Sequence, residues 1–222
     1  MMNPFPVTVM QAAKEYLWFL TNGYPQNAAL KLVGDKFMLA GEMRQVLYRG
    51  IAATSAAQSR QSKIGTVRKG DHVLIDTYNV LFTVNNYLLG KHLFLSNDGM
   101  LRDAGEMRGR IINKPQFSRS VSLMHEILQG WTDVTIIHYL DEPVSFSGRL
   151  SIELSKDMAK MGIEGEAHVV KSPDRMLMDE KSDAICTSDS VIIDHYGGRV
   201  IDLPHELLTK NFNPDFPVLI QA

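Results

Sequence analysis

The chain has 222 residues, of which 45% are apolar and 22% charged, and its formal net charge is −2. These values are close to the averages for globular proteins and exclude a largely disordered chain. The single cysteine, Cys186, excludes an internal disulfide and fits a reducing cytosol. The first residues lack the charged-then-apolar layout of a secretory signal, and no apolar run approaches the roughly 20 residues of a membrane span. We therefore expect a cytoplasmic protein without membrane contact.

The charge is distributed unevenly along the chain. Residues 1–70 contain nine Lys or Arg and three acids, whereas residues 71–222 have a formal net charge of −8. A basic segment joined to an acidic one is typical of arms that bind polyanions. An alternative is that the two parts attract each other, and the sequence does not decide between them.

The basic N-terminal part is predicted to be helical. Apolar residues recur at helical spacing over 8–21, 25–34 and 40–51, with Thr8 as the predicted N-cap and Gly34 as the predicted end of the second helix. Residues 52–70 are small, polar and basic without an apolar period, which predicts a linker. We place the domain boundary within this stretch, so that residues 1–62 form a basic helical module and residues 63–222 an α/β domain.

The second part alternates strands with helices. The predicted strands cover 73–75, 92–95, 134–140, 167–170 and 184–187, and the predicted helices cover 80–89, 118–129 and 147–161. A last strand or hairpin is expected over 191–203, followed by a short helix at 205–208. Such alternation predicts parallel βαβ units and a three-layer α/β/α sandwich with a mostly parallel sheet.

Four of these predicted strands end in an acid, namely Asp76, Asp98, Asp141 and Asp189. In an open parallel sheet, ligands bind outside the carboxyl ends of the strands. Carboxylates gathered there repel one another unless a cation neutralises them, and Mg²⁺ and Mn²⁺ prefer such oxygen ligands. A metal ion in this position can activate water and stabilise the leaving oxygen of a phosphodiester.

Polar neighbours accompany two of the acids. Asn79 follows Asp76 by about one helical turn, where its carboxamide can orient a ligand or water, and Ser188 adds a hydroxyl beside Asp189. The alternative is that the acids are helix N-caps, and Asp98 also belongs to an Asp-Gly dipeptide that is typical of hairpin turns. The sequence leaves both interpretations open.

Two short motifs resemble a known nuclease group. Residues 73–81 (VLIDTYNVL) look like the opening strand of the NYN branch of PIN-like nucleases, and residues 187–190 (TSDS) look like the late strand-end motif of that branch. Asp141 fits the middle acid by order. The resemblance covers about residues 71–200 and implies a PIN-like fold and a ribonuclease that uses Mg²⁺ or Mn²⁺.

The resemblance also implies roles for individual residues. The catalytic set is Asp76, Asn79, Asp141, Ser188 and Asp189, and the metal ligands come from Asp76, Asp141, Asp189 and Asp98. Members of the group carry a further acid in the helical region before the middle strand, for which Asp98 and Glu126 are the candidates. The whole chain, including residues 20–25 (LTNGYP) and 47–50 (LYRG), resembles a prokaryotic family of unknown function that joins a helical module to a PIN-like domain.

RNA is the expected partner. The residues expected to contact its phosphates are Lys14, Arg44, Arg49, Arg60, Lys63, Arg68 and Lys69. No Gly-x-Gly-x-x-Gly or Walker-type loop follows the first predicted strand, so we expect no nucleotide cofactor. Two other functions remain open: a non-catalytic module that binds RNA or protein, and a metal-dependent phosphatase of small substrates.

Overall fold

A computed structural model describes residues 5–104 and 115–220. In chain order its helices and strands are α1 (Val7–Thr21), α2 (Gln26–Lys36), α3 (Gly41–Gly50), α4 (Thr54–Lys63), β1 (His72–Asp76), α5 (Thr77–Leu88), β2 (Leu93–Leu95), β3 (Leu101–Asp103), α6 (Pro115–Leu128), β4 (Thr135–Asp141), α7 (Ser147–Met161), β5 (Glu164–Val170), α8 (Pro173–Asp179), β6 (Ala184–Cys186), α9 (Ser190–His195), β7 (Arg199–Ile201) and α10 (Leu203–Phe212).

The chain divides into two compact units. The described residues of the first unit are 5–62, 90–104 and 213–220, and those of the second are 63–89 and 115–212. One division therefore falls between Ser62 and Lys63. The first unit also contains residues 90–104 and 213–220, which come later in the chain.

Three helices build the core of the first unit. Tyr16 of α1, Val33 of α2 and Leu47 of α3 are fully buried in one apolar cluster, which also contains Phe94 and Leu219. The helical periodicity of the sequence thus predicted these elements correctly. The predicted N-cap is wrong, because α1 begins after Pro6, which makes no side-chain cap.

Gly34 does not end the second helix as predicted. Helix α2 continues to Lys36, and a Cβ at Gly34 would lie 2.3 Å from Nη1 of Arg44. A larger residue at this position would displace the guanidinium group of Arg44. Arg44 uses this position to donate from Nε to the carbonyl oxygen of Leu39 at 2.9 Å.

Two predictions in this unit are wrong. Residues 54–63 form helix α4 and are not part of a linker. The sequence shows no helical period of apolar residues here, because only Ala57 of this helix is buried. The strand at 93–95 does not join a parallel sheet, because β2 pairs antiparallel with β3 in a separate two-stranded sheet. The short turn around Asp98-Gly99 explains this, since parallel pairing needs a crossover connection of a dozen or more residues.

The second unit contains a five-stranded sheet in which every pair of neighbours is parallel, in the order β5-β4-β1-β6-β7. Val73, Leu74 and Ile75 of the central strand β1 are fully buried, as expected for a strand covered on both faces. Right-handed crossovers place the helices that lead outward from β1 to β5 on one face and α8 on the other. The chain is thus an α/β protein, consistent with the predicted three-layer arrangement.

Two elements near the carboxyl end differ from the prediction. Residues 191–203 are not a strand or hairpin, because α9 covers Ser190–His195 and only Arg199–Ile201 form strand β7. Helix α8 was not predicted, although Ser172 accepts a bond from the backbone N–H of Arg175 and Pro173 is the first helical residue. A serine cap followed by proline is a helix-start signal.

None of the helices within residues 5–104 and 115–220 combines the length and apolar character needed to cross a membrane.

Candidate functional site

The candidate site lies where the strand order of the large sheet reverses. From β1 the chain adds β4 and β5 on one side, and it then returns to add β6 and β7 on the other. Ligands of open α/β sheets bind at such a switch point, outside the carboxyl ends of the two diverging strands. Here Asp76 ends β1, and residues 187–189 directly follow β6.

Asp76 occupies the N-cap position of α5 without acting as its cap. The side chain makes no capping hydrogen bond. The backbone N–H of Asn79 lowers the pKa of the carboxyl, but it lies outside normal hydrogen-bond geometry. Oδ2 of Asp76 instead accepts a hydrogen bond of 2.9 Å from the hydroxyl of Thr187. The hydrogen bond of Asp76 is therefore made to Thr187, while the first turn of α5 interacts with the carboxyl more weakly through Asn79.

The electrostatic environment of Asp76 disfavours its charged form. The side chain is 6% exposed. Burial raises the pKa of Asp76 to about 7, with Thr187 opposing the shift and the negative charges of Asp174 and Asp141 adding to it. A carboxyl with such a pKa exchanges its proton near neutral pH and gains most from a nearby positive charge.

Asn79 ties the loop after β6 to the first turn of α5. Its Oδ1 accepts hydrogen bonds from the backbone N–H of Ser188 at 2.8 Å and from the Ser188 hydroxyl at 3.0 Å. The structure therefore brings together Asp76, Asn79 and Ser188, as the sequence predicted. The role of Asn79 here is to position the loop.

Asp189 belongs to the same loop and does cap a helix. Its Oδ1 accepts from the backbone N–H groups of Val191 at 2.7 Å and Ile192 at 3.3 Å, at the start of α9. The capping interpretation thus applies to Asp189. No described residue forms an ion pair with this carboxylate, and its negative charge raises the pKa of Asp174.

Asp174 is the acid that the sequence analysis missed. It lies in the first turn of α8, on the crossover from β5 to β6. Burial, followed by the charge of Asp189, raises its own pKa. Its charge in turn raises the pKa of Asp141, an effect second there to burial. The Ser-Pro-Asp start of α8 was the available signal, but it marks a helix terminus and not a site.

Four carboxylates therefore influence one another at this edge of the sheet, namely Asp76, Asp141, Asp174 and Asp189. No Lys or Arg within residues 5–104 and 115–220 forms an ion pair with any of them. Oxygen ligands without cationic partners fit a hard divalent cation. Among the described residues no three acids, histidines or cysteines stand close enough to form a closed ligand set. Mg²⁺ binding through one or two carboxylates and several retained waters does not require such a set.

Asp98 lies in the first unit, between β2 and β3. It is 1% exposed, and its Oδ2 accepts from Arg102 at 2.7 Å and pairs with Arg60 at 3.2 Å. Burial acts to raise its pKa, but Arg102 and Arg60 together hold it below the usual value. The charge of Asp98 is thus already neutralised by two arginines of its own unit.

Glu126, the other candidate for the further acid, is exposed on α6 and lies 3.6 Å from Arg119. It has no interaction with the four carboxylates in the part of the chain that the structure describes.

Most of the residues predicted to contact RNA interact within the protein. Four of the seven form ion pairs: Arg44 with Asp35, Arg49 with Asp103, Arg60 with Asp98 and Lys69 with Asp133. Nζ of Lys63 donates to the carbonyl oxygens of Ile193 at 2.6 Å and Tyr196 at 2.7 Å, where it satisfies the end of α9. Lys14 and Arg68 are exposed. The paired arginines are less than one third exposed, whereas Lys69 remains 78% exposed in its pair with Asp133.

The sequence matches two families. Residues 8–63 match a protein of unknown function (DUF434), and residues 66–206 match a domain of unknown function (DUF5616). An uncharacterized protein of Methanocaldococcus jannaschii is 28% identical over 205 residues, which cover 91% of this chain and 97% of that protein. No solved structure matches the chain at a significant level. Because residues 66–206 make up more than half of its length, the chain belongs to the DUF5616 family.

Proposed function

We propose that the protein is a divalent-cation-dependent phosphodiesterase and that the cluster of Asp76, Asp141, Asp174 and Asp189 is its catalytic centre. The observation that supports this most directly is that burial and neighbouring carboxylates, that of Asp189 among them, raise the pKa values of Asp76, Asp141 and Asp174, while the described residues offer these acids no cationic partner. Their position at the switch point of a parallel sheet supports the same conclusion.

The surroundings of each residue indicate its role in the proposed reaction. Asp76 and Asp141 would hold Mg²⁺ or Mn²⁺, and the ion, when bound, lowers the pKa of a coordinated water and stabilises charge on the phosphate. Thr187 orients the carboxylate of Asp76, and Asn79 holds Ser188 beside it. Asp174 is exposed at the rim and has a raised pKa, so it is suited to accept a proton from the attacking water.

RNA is the substrate that the resemblance to PIN-like nucleases of the NYN branch favours. Lys14, Arg68 and Lys69 are the exposed residues of the predicted set, and of these only Lys69 forms an ion pair with a described residue, at the surface with Asp133. Replacing a basic side chain that binds one phosphate should reduce the slope of log affinity against log salt concentration by about 0.7 for single-stranded RNA. The double variant Lys14→Gln/Arg68→Gln therefore tests RNA as the partner separately from the chemistry.

The test of the reaction is cleavage of end-labelled single-stranded RNA by the purified full chain in Mn²⁺ or Mg²⁺, beside a chelator control. Asp76→Asn should abolish cleavage. Asp179→Asn is the matched control, because Asp179 is exposed and paired with Arg175 on α8. Cleavage that persists in chelator or in Asp76→Asn would disprove the proposal.

A non-catalytic binding module is the second candidate. It is favoured by the use of Asp189 as a helix cap and by the lack of a closed ligand set among the described acids. It predicts binding of RNA or protein that weakens with salt and is unaffected by chelator.

A metal-dependent phosphatase of small substrates is the third candidate, favoured by the internal pairing of the predicted RNA contacts. It predicts turnover of a small phosphomonoester that the Lys14→Gln/Arg68→Gln variant leaves unchanged.

A further inference from the structure

A cavity lies between α6 and α7 in the second unit. Its volume is about 360 Å³, within the range of small-molecule sites. Its apolar walls include Phe117 and Phe146, and its polar groups include the hydroxyl of Ser118 and the imidazole of His125. The lining is thus mixed, with two aromatic residues among polar and charged side chains, and polar groups of this kind fix the orientation of a ligand.

Phe146 stands at the rim of the cavity in an unusual conformation. Its backbone is left-handed, with φ 70° and ψ 11°, and its side chain is 52% exposed. Aromatic residues rarely adopt this conformation, and such strain persists where the surrounding structure imposes it, often at ligand sites. An exposed aromatic ring held in this way is available to stack on a ligand.

The turn that imposes this conformation also contains an acid of the candidate centre. The hydroxyl of Ser147 donates to the carbonyl oxygens of Asp141 at 2.6 Å and Val144 at 2.7 Å. Ser147 Oγ in turn accepts from the Tyr78 hydroxyl at 2.8 Å. Asp141 and Phe146 therefore belong to one hydrogen-bonded turn, while the residues that line the cavity do not include the four acids of the candidate centre.

His125 supplies a polar group that the protein leaves unused. The residue is 8% exposed, and its Nε2 has no hydrogen-bond partner within the described part of the chain. Burial lowers the pKa of His125, so the imidazole is neutral near pH 7. A neutral imidazole nitrogen can donate to or accept from the edge of a heterocycle. Buried polar atoms without partners are costly, and a ligand that supplies one is favoured.

The charges around the cavity exclude an anionic occupant. Arg149 is the basic residue of its lining, and its Nε already donates to Glu153 at 2.8 Å. Asp157 lines the same cavity and pairs with Lys160. The lining thus contains more acid than free base, which disfavours a phosphate group and favours an uncharged ring.

We propose that this cavity binds a nucleobase, with its ring stacked on Phe146 and its edge directed at the His125 side chain that lines the cavity. The identification of that base as part of the cleaved phosphodiester rests on the proposed function. The base-binding step itself requires neither a metal ion nor a phosphate.

The test is a titration of the full chain with adenosine, guanosine, cytidine and uridine in the presence of chelator, followed by ligand-observed NMR. At least one nucleoside should bind saturably. Phe146→Ala should weaken that binding by about tenfold, since stacking on an aromatic side chain contributes roughly 1–3 kcal/mol per base. Phe146→Tyr should restore it, and His125→Gln should change which nucleoside binds best.

Ile152→Ala is the matched control, because Ile152 is 56% exposed on the same helix α7 and does not line the cavity. Equal binding by Phe146→Ala and Ile152→Ala, or no saturable binding of any nucleoside, would overturn the proposal. Nucleoside binding without cleavage of RNA would count against the phosphodiesterase and leave the base site standing. Cleavage of RNA without nucleoside binding would overturn the base site and leave the phosphodiesterase standing.

Discussion

The hydroxyl of Thr187 donates a 2.9 Å hydrogen bond to Oδ2 of Asp76 and thereby joins the carboxyl ends of β6 and β1. Its oxygen also accepts from the backbone N–H of Asp189 at 3.1 Å, which leaves the hydroxyl proton for Asp76. The buried carboxylate is thus held in one orientation by a group that can donate to its charged form. We therefore expect replacement of either Thr187 or Asp76 to change the stability of the protein.

Thr187→Val should destabilise the protein by about 1.5–3 kcal/mol near pH 8, because a hydrogen bond to a charged buried carboxylate is lost. Thr187→Ser retains the hydroxyl and should cost less. Urea denaturation of both variants measures the difference. Equal stability of the valine and serine variants would show that the bond to Asp76 contributes nothing.

Asp76→Asn should stabilise the protein at neutral and higher pH. The pKa of Asp76 in the folded state, about 7, lies above its unfolded value. Between about pH 4 and pH 7 the unfolded chain has released this proton while the folded chain retains it, so the contribution of Asp76 to stability falls as pH rises. The Asp76→Asn variant has no titrating group at this position, so its stability does not undergo this decrease. Its advantage should reach up to about 4 kcal/mol above pH 7 and vanish near pH 4.

Urea denaturation at about pH 4, 6 and 8 in chelator measures this effect, with Asp179→Asn as the exposed control. A constant difference between wild type and Asp76→Asn across this range would contradict the raised pKa. Adding Mn²⁺ near pH 8 should raise the melting temperature of the wild type and not that of Asp76→Asn.

Asp174→Asn should weaken Mn²⁺ binding by about tenfold, because the acid on α8 contributes to the negative potential at Asp76 and Asp141. Asp179→Asn, on the same helix, should leave the affinity unchanged. Titration calorimetry of the full chain compares them. If the two variants bind Mn²⁺ equally, Asp174 does not belong to the site.

Asp98→Asn should cost about 3–5 kcal/mol of stability and leave Mn²⁺ affinity unchanged, because it leaves the buried arginines Arg60 and Arg102 without their carboxylate. Thermal and urea denaturation give the first quantity and calorimetry the second. A loss of cation affinity in a folded Asp98→Asn protein would return this acid to the candidate centre.

Phe146→Gly should raise the free energy of unfolding by about 1 kcal/mol, because glycine adopts the left-handed conformation without strain. The same change should weaken nucleoside binding by about the tenfold expected of Phe146→Ala, since both variants lose the ring. A variant that is less stable than the wild type would show that the ring of Phe146 serves packing and not a ligand.

The local pattern of apolar residues correctly predicted those helices and strands whose buried face is encoded within one continuous segment. The helical spacing of apolar residues located α1, α2 and α3, and the apolar run at 73–75 located the buried central strand. The acids at 76, 141 and 189 followed from the general geometry of parallel sheets. Each of these inferences depends on burial, which a periodic sequence encodes directly.

What the sequence could not decide depends on partners distant along the chain. Asp98 and Asp141 both end apolar runs, yet β2 pairs with β3 in a short hairpin whereas β4 lies beside β1 in the parallel sheet. From the sequence, Lys63 is one more basic residue that could bind a phosphate. In the folded protein its ammonium group donates hydrogen bonds to carbonyl groups at the end of α9. Asp174 follows a helix-start motif, and only the return crossover from β5 to β6 brings its charge to the cluster. Periodicity therefore determined which segments are buried, whereas strand pairing, crossovers and charge neutralisation, which join segments far apart in sequence, decided which acids share a site.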